Sequence, residues 1–594
     1  RGAEDFGEAI RFVREDSPAY PERGYVYSQL GDDDKAIADF NRADELEPDY
    51  AVAWGERGLA FYNKGDYDRA IRDYDTALKL KPDSVATLYN RGLAYRVKAD
   101  YRRAIEDFSA AIRLHPKDAD VFNQRGLAYY SEGDKAKALA DYATALTLEP
   151  DHAEVYYNRG DLYYAEGDYD RAIAEYGQVI DLDPDSAAAY NARGAAYHWK
   201  GEKERAFRDY EQAIRLDPEY STAYYNRGLI HDDRGELDKA VADYSRAIEL
   251  DPDYAAAYND RGLIYKHQGE YERAIADFSE VIRLKPDDAG AFVNRASVEL
   301  DKGDYDSGFK DANRAIALDS KDAAAYINRG NVYRHRGEHE LAIQDYDRAI
   351  ELDSDFTSAY YNRGIAYDEV DELDKAIADF SRAIRLEPDD PDAYFMRGYS
   401  RGRKGDENAA IHDYDRVLKL DPDYAMAYNN RGWTFYAKGQ YDRAIGDFDA
   451  AIRLDPEEAL FHKNRGRANR RKGEHRLSIA DFGRAIQLAP EDAEGYIGRG
   501  LSYYDAEDYE QAIADYDRAI TLDPKSAIAF NNRGLAYLDK GEPARAIMDF
   551  DRAIALKPDY ARAYANRGEA HQKLGNRVRA LMDFYEANKL DPDE

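Results

Sequence analysis

A proline recurs every 34 residues. Pro48, Pro82, Pro116, Pro150, Pro184, Pro218, Pro252 and Pro286 hold the register. Ser320 and Ser354 take the next two places, and Pro388, Pro422, Pro456, Pro490, Pro524, Pro558 and Pro592 continue it. From 48 to 592 is 544 residues, or 16 × 34, without an insertion. A fixed period of this size restricts the chain to a repeat array and excludes several independent cores. With the proline at position 32, repeat 1 runs from Ser17 to Tyr50 and repeat 17 from Ala561 to Glu594. The 594 residues divide as 17 × 34 + 16.

Each repeat carries the helical period twice. In repeat 2, Trp54, Gly58 and Phe61 lie at i, i+4, i+7 on a first helix, and Gly65-Asp66 breaks it. Ala70, Tyr74, Ala77 and Leu78 lie at i, i+4, i+7, i+8 on a second, which Pro82 closes. Position 16 is acidic in 15 of 17 repeats, so that residue can cap the second helix and meet its positive end. Hydrophobic residues make up 44% of the chain and aromatics 13%, with 53 Tyr, which is ample for burial.

Composition also excludes. Cysteine is absent, so disulfides, thiolate metal sites and thiol nucleophiles are ruled out. A net charge of −35, from 119 acids against 84 bases, argues against a general nucleic-acid binder. No apolar run of about 18 residues offers a membrane span. The 11 His form no ligand set: His335 and His339 are four apart, but Gly337 between them marks the turn. No phosphate loop, nucleophile elbow or cofactor motif appears, so no metal, cofactor or enzyme activity is expected.

The columns resemble those of tetratricopeptide repeats (TPR), over the whole chain. That family has a large residue at position 4, small residues at 8 and 20, aromatics at 11 and 24, Ala at 27 and Pro at 32. Here position 4 is aromatic in 15 repeats, position 8 is Gly in 16, position 24 is aromatic in 16 and position 30 is Leu in all 17. The resemblance implies an all-α fold, a right-handed α-solenoid superhelix of helix-turn-helix repeats. First helices would line a concave groove and second helices the convex back. Residues 1–16 align with positions 19–34, as the second helix of a truncated preceding repeat. The absent initiator Met leaves the compartment open, with the cytoplasm slightly favoured and export not excluded. The YNRG and AIADY strings look bacterial.

Several columns bear on function. Position 7 is Arg and position 23 is acidic in every repeat. This pattern predicts an ion-pair ladder between the helices in preference to an anion site. Position 6 is Asn in ten repeats: Asn90, Asn158, Asn226, Asn294, Asn328, Asn362, Asn430, Asn464, Asn532 and Asn566. In the family this position faces the groove, and a regular Asn ladder there holds extended chains. A carboxamide both donates and accepts, so it suits any peptide backbone. Peptide binding and simple inheritance by duplication both account for the column.

Tyrosines join the same face: Tyr89, Tyr157, Tyr225 and Tyr361 at position 5, and Tyr62, Tyr130, Tyr164, Tyr436 and Tyr504 at position 12. They either offer contact area or pack between first helices. In repeat 14, Lys463, Arg467, Arg470 and Arg471 form one helical stripe, and Arg401, Arg403, Lys404 and Arg334 extend the basic run. Such a patch suits an anionic partner, or compensates nearby acids. The family's clamp for two carboxylates is not met, because Gly498 holds position 6 of repeat 15. In repeat 9, Ala296, Glu299, Gly308, Ala312 and Ser320 replace the expected residues, which predicts looser packing and altered curvature near 289–322.

The expected function is a scaffold binding an extended peptide or partner protein, weak contacts adding in series. One alternative is a self-assembling structural array or filament, with end-to-end association. Another is the recognition arm of an enzyme whose catalytic domain lies outside this chain.

Overall fold

The computed structural model describes residues 19–591. The expected half-repeat at 1–16 lies outside the described residues. Each repeat is an antiparallel pair of helices, as in Ala51–Asn63 followed by Tyr67–Leu80, and no strand occurs among the described residues. The described residues form two compact bodies, divided after Pro286. No described helix is long and apolar enough to cross a membrane.

The hairpin is closed by a size exchange. Gly at position 8 lies against the ring at position 24. A Cβ added at Gly228 would sit 2.6 Å from Tyr244 Cε1, and one at Gly330 would sit 2.7 Å from Tyr346 Cε1. Only a residue without a side chain lets the two helices approach this closely. In repeats 1 to 16 the rings and the Ala residues at positions 20 and 27 are buried, as with Ala70, Tyr74 and Ala77.

Position 15 reverses the chain with a left-handed residue. Fourteen repeats use Gly there, for example Gly65 at φ +78°. Repeats 3, 11 and 15 force Ala99, Asp371 and Glu507 to φ of 56°, 62° and 60°.

Capping at position 16 depends on side-chain length. Asp32, Asp66, Asp100, Asp134, Asp168, Asp304 and Asp508 each accept the backbone N–H three residues on. Glu at this place makes no such bond. Its extra methylene carries the carboxylate past the helix end, to partners such as Lys239 for Glu236, at 2.8 Å. The capping expected of the acids is therefore made only by Asp at this place, and by every one of them but Asp406.

Repeat 9 keeps the hairpin, from Ala289–Lys302 to Tyr305–Leu318. Ala296 and Ala312 replace the Gly and the ring together, and both are fully buried. Leu300 fills the room above Gly308, its Cγ 3.1 Å from where a Cβ would stand. Compensating sizes thus meet across this hairpin. The cost is Glu299 at position 11, whose carboxyl is buried beside Arg295 and Asp311. Burial, then the Asp311 charge, pushes it up to about 7.

Candidate functional site

In each body most first helices of consecutive repeats touch, and second helices of consecutive described repeats do not come as close. Each stack therefore curves with its first helices inside. Positions 2, 5, 9, 12 and 13 of those helices share one stripe, i, i+3, i+7, i+10, i+11. That stripe is the concave face.

The Arg column is not part of it. All seventeen position-7 guanidinium groups bond the acid at position 23 of their own repeat. Apart from Arg159, which faces Glu175, and Arg465, which uses one oxygen of Asp481, the pairs are two-pronged. Arg261 is representative, with Nε 2.8 Å and Nη2 2.7 Å from the two Asp277 oxygens and Nη1 2.9 Å from Ser245 of the preceding repeat. Its guanidinium lies 5.6 Å over the Tyr258 ring. Each Arg thus ties the two helices of its repeat, and many also reach the repeat before.

The Asn ladder divides in two. Asn158, Asn226, Asn464 and Asn566 donate to Asn123, Asn191, Asn429 and Asn531, each 35 residues earlier at position 5. Asn328 donates to the Val293 carbonyl at 3.0 Å. These five fasten neighbouring first helices together. Asn294 is also engaged. Asn430 accepts from Asn429 at 3.0 Å and bonds the Tyr414 hydroxyl. Asn532 only accepts, from Asn531. Asn90 and Asn362 are half-buried and make no hydrogen bond to a described residue. The carboxamides open to a peptide are therefore few.

The basic stripe is spoken for. Lys463 Nζ lies 2.7 Å from Asp492 and 2.9 Å from Glu494, Arg467 bonds Glu494, and Arg470 Nε lies 2.6 Å from Asp505. Arg471 sits beside the Tyr436 hydroxyl. Burial alone pushes Lys463 down, but the bonds to Asp492 and Glu494 outweigh it and hold its ammonium above the usual lysine range. Arg403 bonds Asp368 at 2.5 Å and Asp371 at 2.9 Å, Lys404 meets Asp374, Arg401 meets Asp413, and Arg334 meets Glu369. An anionic partner would have to displace these carboxylates. Lys463, Arg467 and Arg470 form a charge-compensated seam between repeats, and Arg471 is exposed beside a neutral phenol.

The tyrosines pack differently from expectation. At position 5, Tyr89, Tyr157, Tyr225 and Tyr361 lie against the position-24 ring of their own repeat, at 5.5 to 5.9 Å. At position 12, Tyr62, Tyr164, Tyr436 and Tyr504 lie against the Tyr opening the second helix, at 5.3 to 5.7 Å. Their ring partners are intra-repeat, while the hydroxyls of Tyr225, Tyr436 and Tyr504 reach Asp260, Arg471 and Asp539 on the next first helix. Tyr130 is half-buried against the second helix of repeat 4.

Two cavities open on the concave face of the second body. One, of about 330 Å³, has five carboxylates in its wall, Asp353, Asp355, Glu387, Asp390 and Asp392, with Tyr361 behind them. Burial, then Asp392 and Asp390, pushes the Tyr361 phenol up to about 12. The other, of about 290 Å³, lies among Tyr399, Gly402, Tyr414, Asn430 and Trp433. The sequence signal for it was the single Gly in column 12, among Tyr, Arg, Asp and other side chains. Among the described residues no group of three His, Asp or Glu is placed to hold a metal ion.

Comparison with known proteins follows the same lines. The family described as TPR repeat matches residues 24–65, 58–96, 126–165, 160–201, 196–232, 233–269, 330–370, 500–541 and 537–575. Families described as Tetratricopeptide repeat match 395–459 and 429–493, 255–288 and 357–390, and 85–118 and 561–594. No curated protein matches the chain. Among solved structures, MamA protein is 29% identical over 28% of this chain and 92% of its own, with a TM-score of 0.27. YrrB, described as a TPR protein with an unusual peptide-binding site, is 26% identical over 31% and 95%, at 0.28. The Cut9–Hcn1 hetero-tetramer of APC/C is 17% identical over 84% and 98%, at 0.40. The repeats, their helical hairpins and the family matches over most of the length together make this chain a member of the tetratricopeptide repeat family.

Proposed function

We propose that the chain is a non-enzymatic protein-interaction scaffold whose concave face holds an extended segment of a partner protein. One observation carries this. The exposed large apolar side chains of repeats 1 to 16 that lie within first helices sit on the concave stripe: Val52, Met426 and Ile528 at position 2, Tyr25, Leu263, Tyr399 and Trp433 at position 9, and Val97 and Trp199 at position 13. Leaving such groups in water is unfavourable unless a partner covers them. Asn90 and Asn362 add carboxamides able to bond a passing backbone. The packing columns, by contrast, repeat almost unchanged.

An arrayed library of 12-residue peptides tests the proposal. Met426→Ala combined with Tyr399→Ala and Trp433→Ala should weaken the strongest binders at least tenfold. Glu340→Ala, an exposed residue of a second helix, should leave them unchanged. Equal losses from both variants, or none, would overturn it.

A second reading is self-association through the last helix, Arg577–Leu590. Val578, Leu581, Met582 and Tyr585 are all largely exposed there. At the places of Val578 and Tyr585 the other repeats carry polar or small residues. Sedimentation velocity of Leu581→Lys/Tyr585→Glu beside the parent chain separates the two: an identical monomer in both removes self-association.

A further inference from the structure

The cavity between the ends of the first helices of repeats 12 and 13 has a built shape. A Cβ placed at Gly402 would meet nothing closer than Ala410 Cβ, at 4.0 Å, so the missing side chain is the opening. Tyr414 is buried beneath and is held by Asn430. Tyr399 and Trp433 stand at the sides, each 42% exposed. Trp433 is braced from behind by Tyr436, stacked at 5.0 Å and 22°, and the Arg467 guanidinium lies 5.6 Å over its ring. Arg403, at the rim, is fixed by Asp368 and Asp371. Among the described residues the Trp433 indole N–H has no acceptor, which leaves a donor at the edge for a backbone carbonyl. A flat, rigid, ring-walled slot of this kind accepts another ring by stacked or edge contact.

The carboxylate cavity lies one inter-repeat gap away, between the starts of the first helices of repeats 11 and 12. Of its five carboxylates, Asp355 alone meets a guanidinium, Arg382 at 3.2 Å. Asp392 accepts the Tyr424 hydroxyl at 2.8 Å. The offset is about 8–10 Å between helix axes and about two turns, or 11 Å, along them. That makes roughly 14 Å, which an extended chain spans in about four residues.

We infer that the Gly402 slot seats one aromatic side chain of a partner segment, while a Lys or Arg about four residues away in that segment lies over the repeat 10–12 carboxylates. This rests on the groove reading and names the class of segment the groove takes.

Fluorescein-labelled 12-residue peptides in a Ser/Gly background test it by anisotropy. One carries Phe and Lys four apart, and the others exchange Phe for Ala or Lys for Glu. The Phe/Lys peptide should bind at least tenfold more tightly than the Ala form and at least fivefold more tightly than the Glu form. Gly402→Leu fills the slot with a better helix former and should cost the Phe/Lys peptide at least tenfold with helix content unchanged. Trp433→Ala should do the same by removing a wall. Equal affinity of the Phe and Ala forms, or full binding by Gly402→Leu, would overturn the slot. If the designed peptides fail while the arrayed library yields groove binders, the slot alone falls. If both fail, the groove reading falls with it.

Discussion

Arg261→Met isolates what the invariant Arg–acid column does. Asp277 is 5% exposed and holds two bonds from Arg261, at 2.7 and 2.8 Å. Met keeps the unbranched apolar stem of Arg but leaves the buried carboxylate without its counter-charge. Breaking a buried pair from one side costs about 3–5 kcal/mol. Ser245 also loses its bond to Nη1. The control is Asp253→Asn. Asp253 faces Arg283 at 3.7 Å, and both are largely exposed. Such a pair contributes about 0–1 kcal/mol. Long repeat arrays do not unfold in one step, so local stability is the quantity to measure. Amide exchange over residues 255–284 reads it. Since about 1.4 kcal/mol is tenfold, Arg261→Met should speed the slowest amides there at least a hundredfold, and Asp253→Asn less than fivefold. Equal protection in the two variants would refute the idea that the column works through burial of a paired charge.

Three further outcomes follow from the packing. Gly228→Ala drives a methyl into Tyr244 and should destabilise repeat 7 by about 1–3 kcal/mol, read as faster local exchange over residues 221–250. Ala99→Gly relieves a left-handed backbone at φ 56° and should stabilise repeat 3 by about 1 kcal/mol, read as slower exchange over residues 85–114. Glu299 is held up to about 7 by burial and the Asp311 charge, so the folded state binds its proton more tightly than the unfolded chain does. Stability from that proton is full below the usual Glu range and is lost as pH rises through about 7. Protection factors over residues 289–318 should therefore fall on the order of tenfold between pH 5 and pH 8, and Glu299→Gln should flatten the profile.

The hairpins were legible in the sequence because a 34-residue period repeats every packing requirement seventeen times. Gly at 8 and a ring at 24 state the same steric fact from both sides, and the single exception, Ala296 with Ala312, changes both together. The Arg–acid pairing was legible for the same reason: two constant, opposite charges 16 residues apart meet once the hairpin closes. The face of each polar side chain was less legible. Asn158, Asn226, Asn464 and Asn566 read as groove residues on column position alone. Their partners lie 35 residues back at position 5, where every Asn is followed by Asn at that spacing. The acids that pair with the basic stripe of repeat 14 were not named by its helical spacing, because Asp492, Glu494 and Asp505 belong to the loop and first helix that come next. Gly402 was legible only as a substitution, since a slot consists of what its neighbours leave open.

The account assigns the constant columns to folding and the varied concave columns to a partner, and one footprint tests that division. Amide exchange of the full chain is compared with and without the strongest binder from the peptide array. Added protection should fall on the first helices Pro391–Lys404 and Ala425–Ala437, with the second helices Glu407–Leu420 and Tyr441–Leu454 unchanged. Protection confined to those second helices would contradict it.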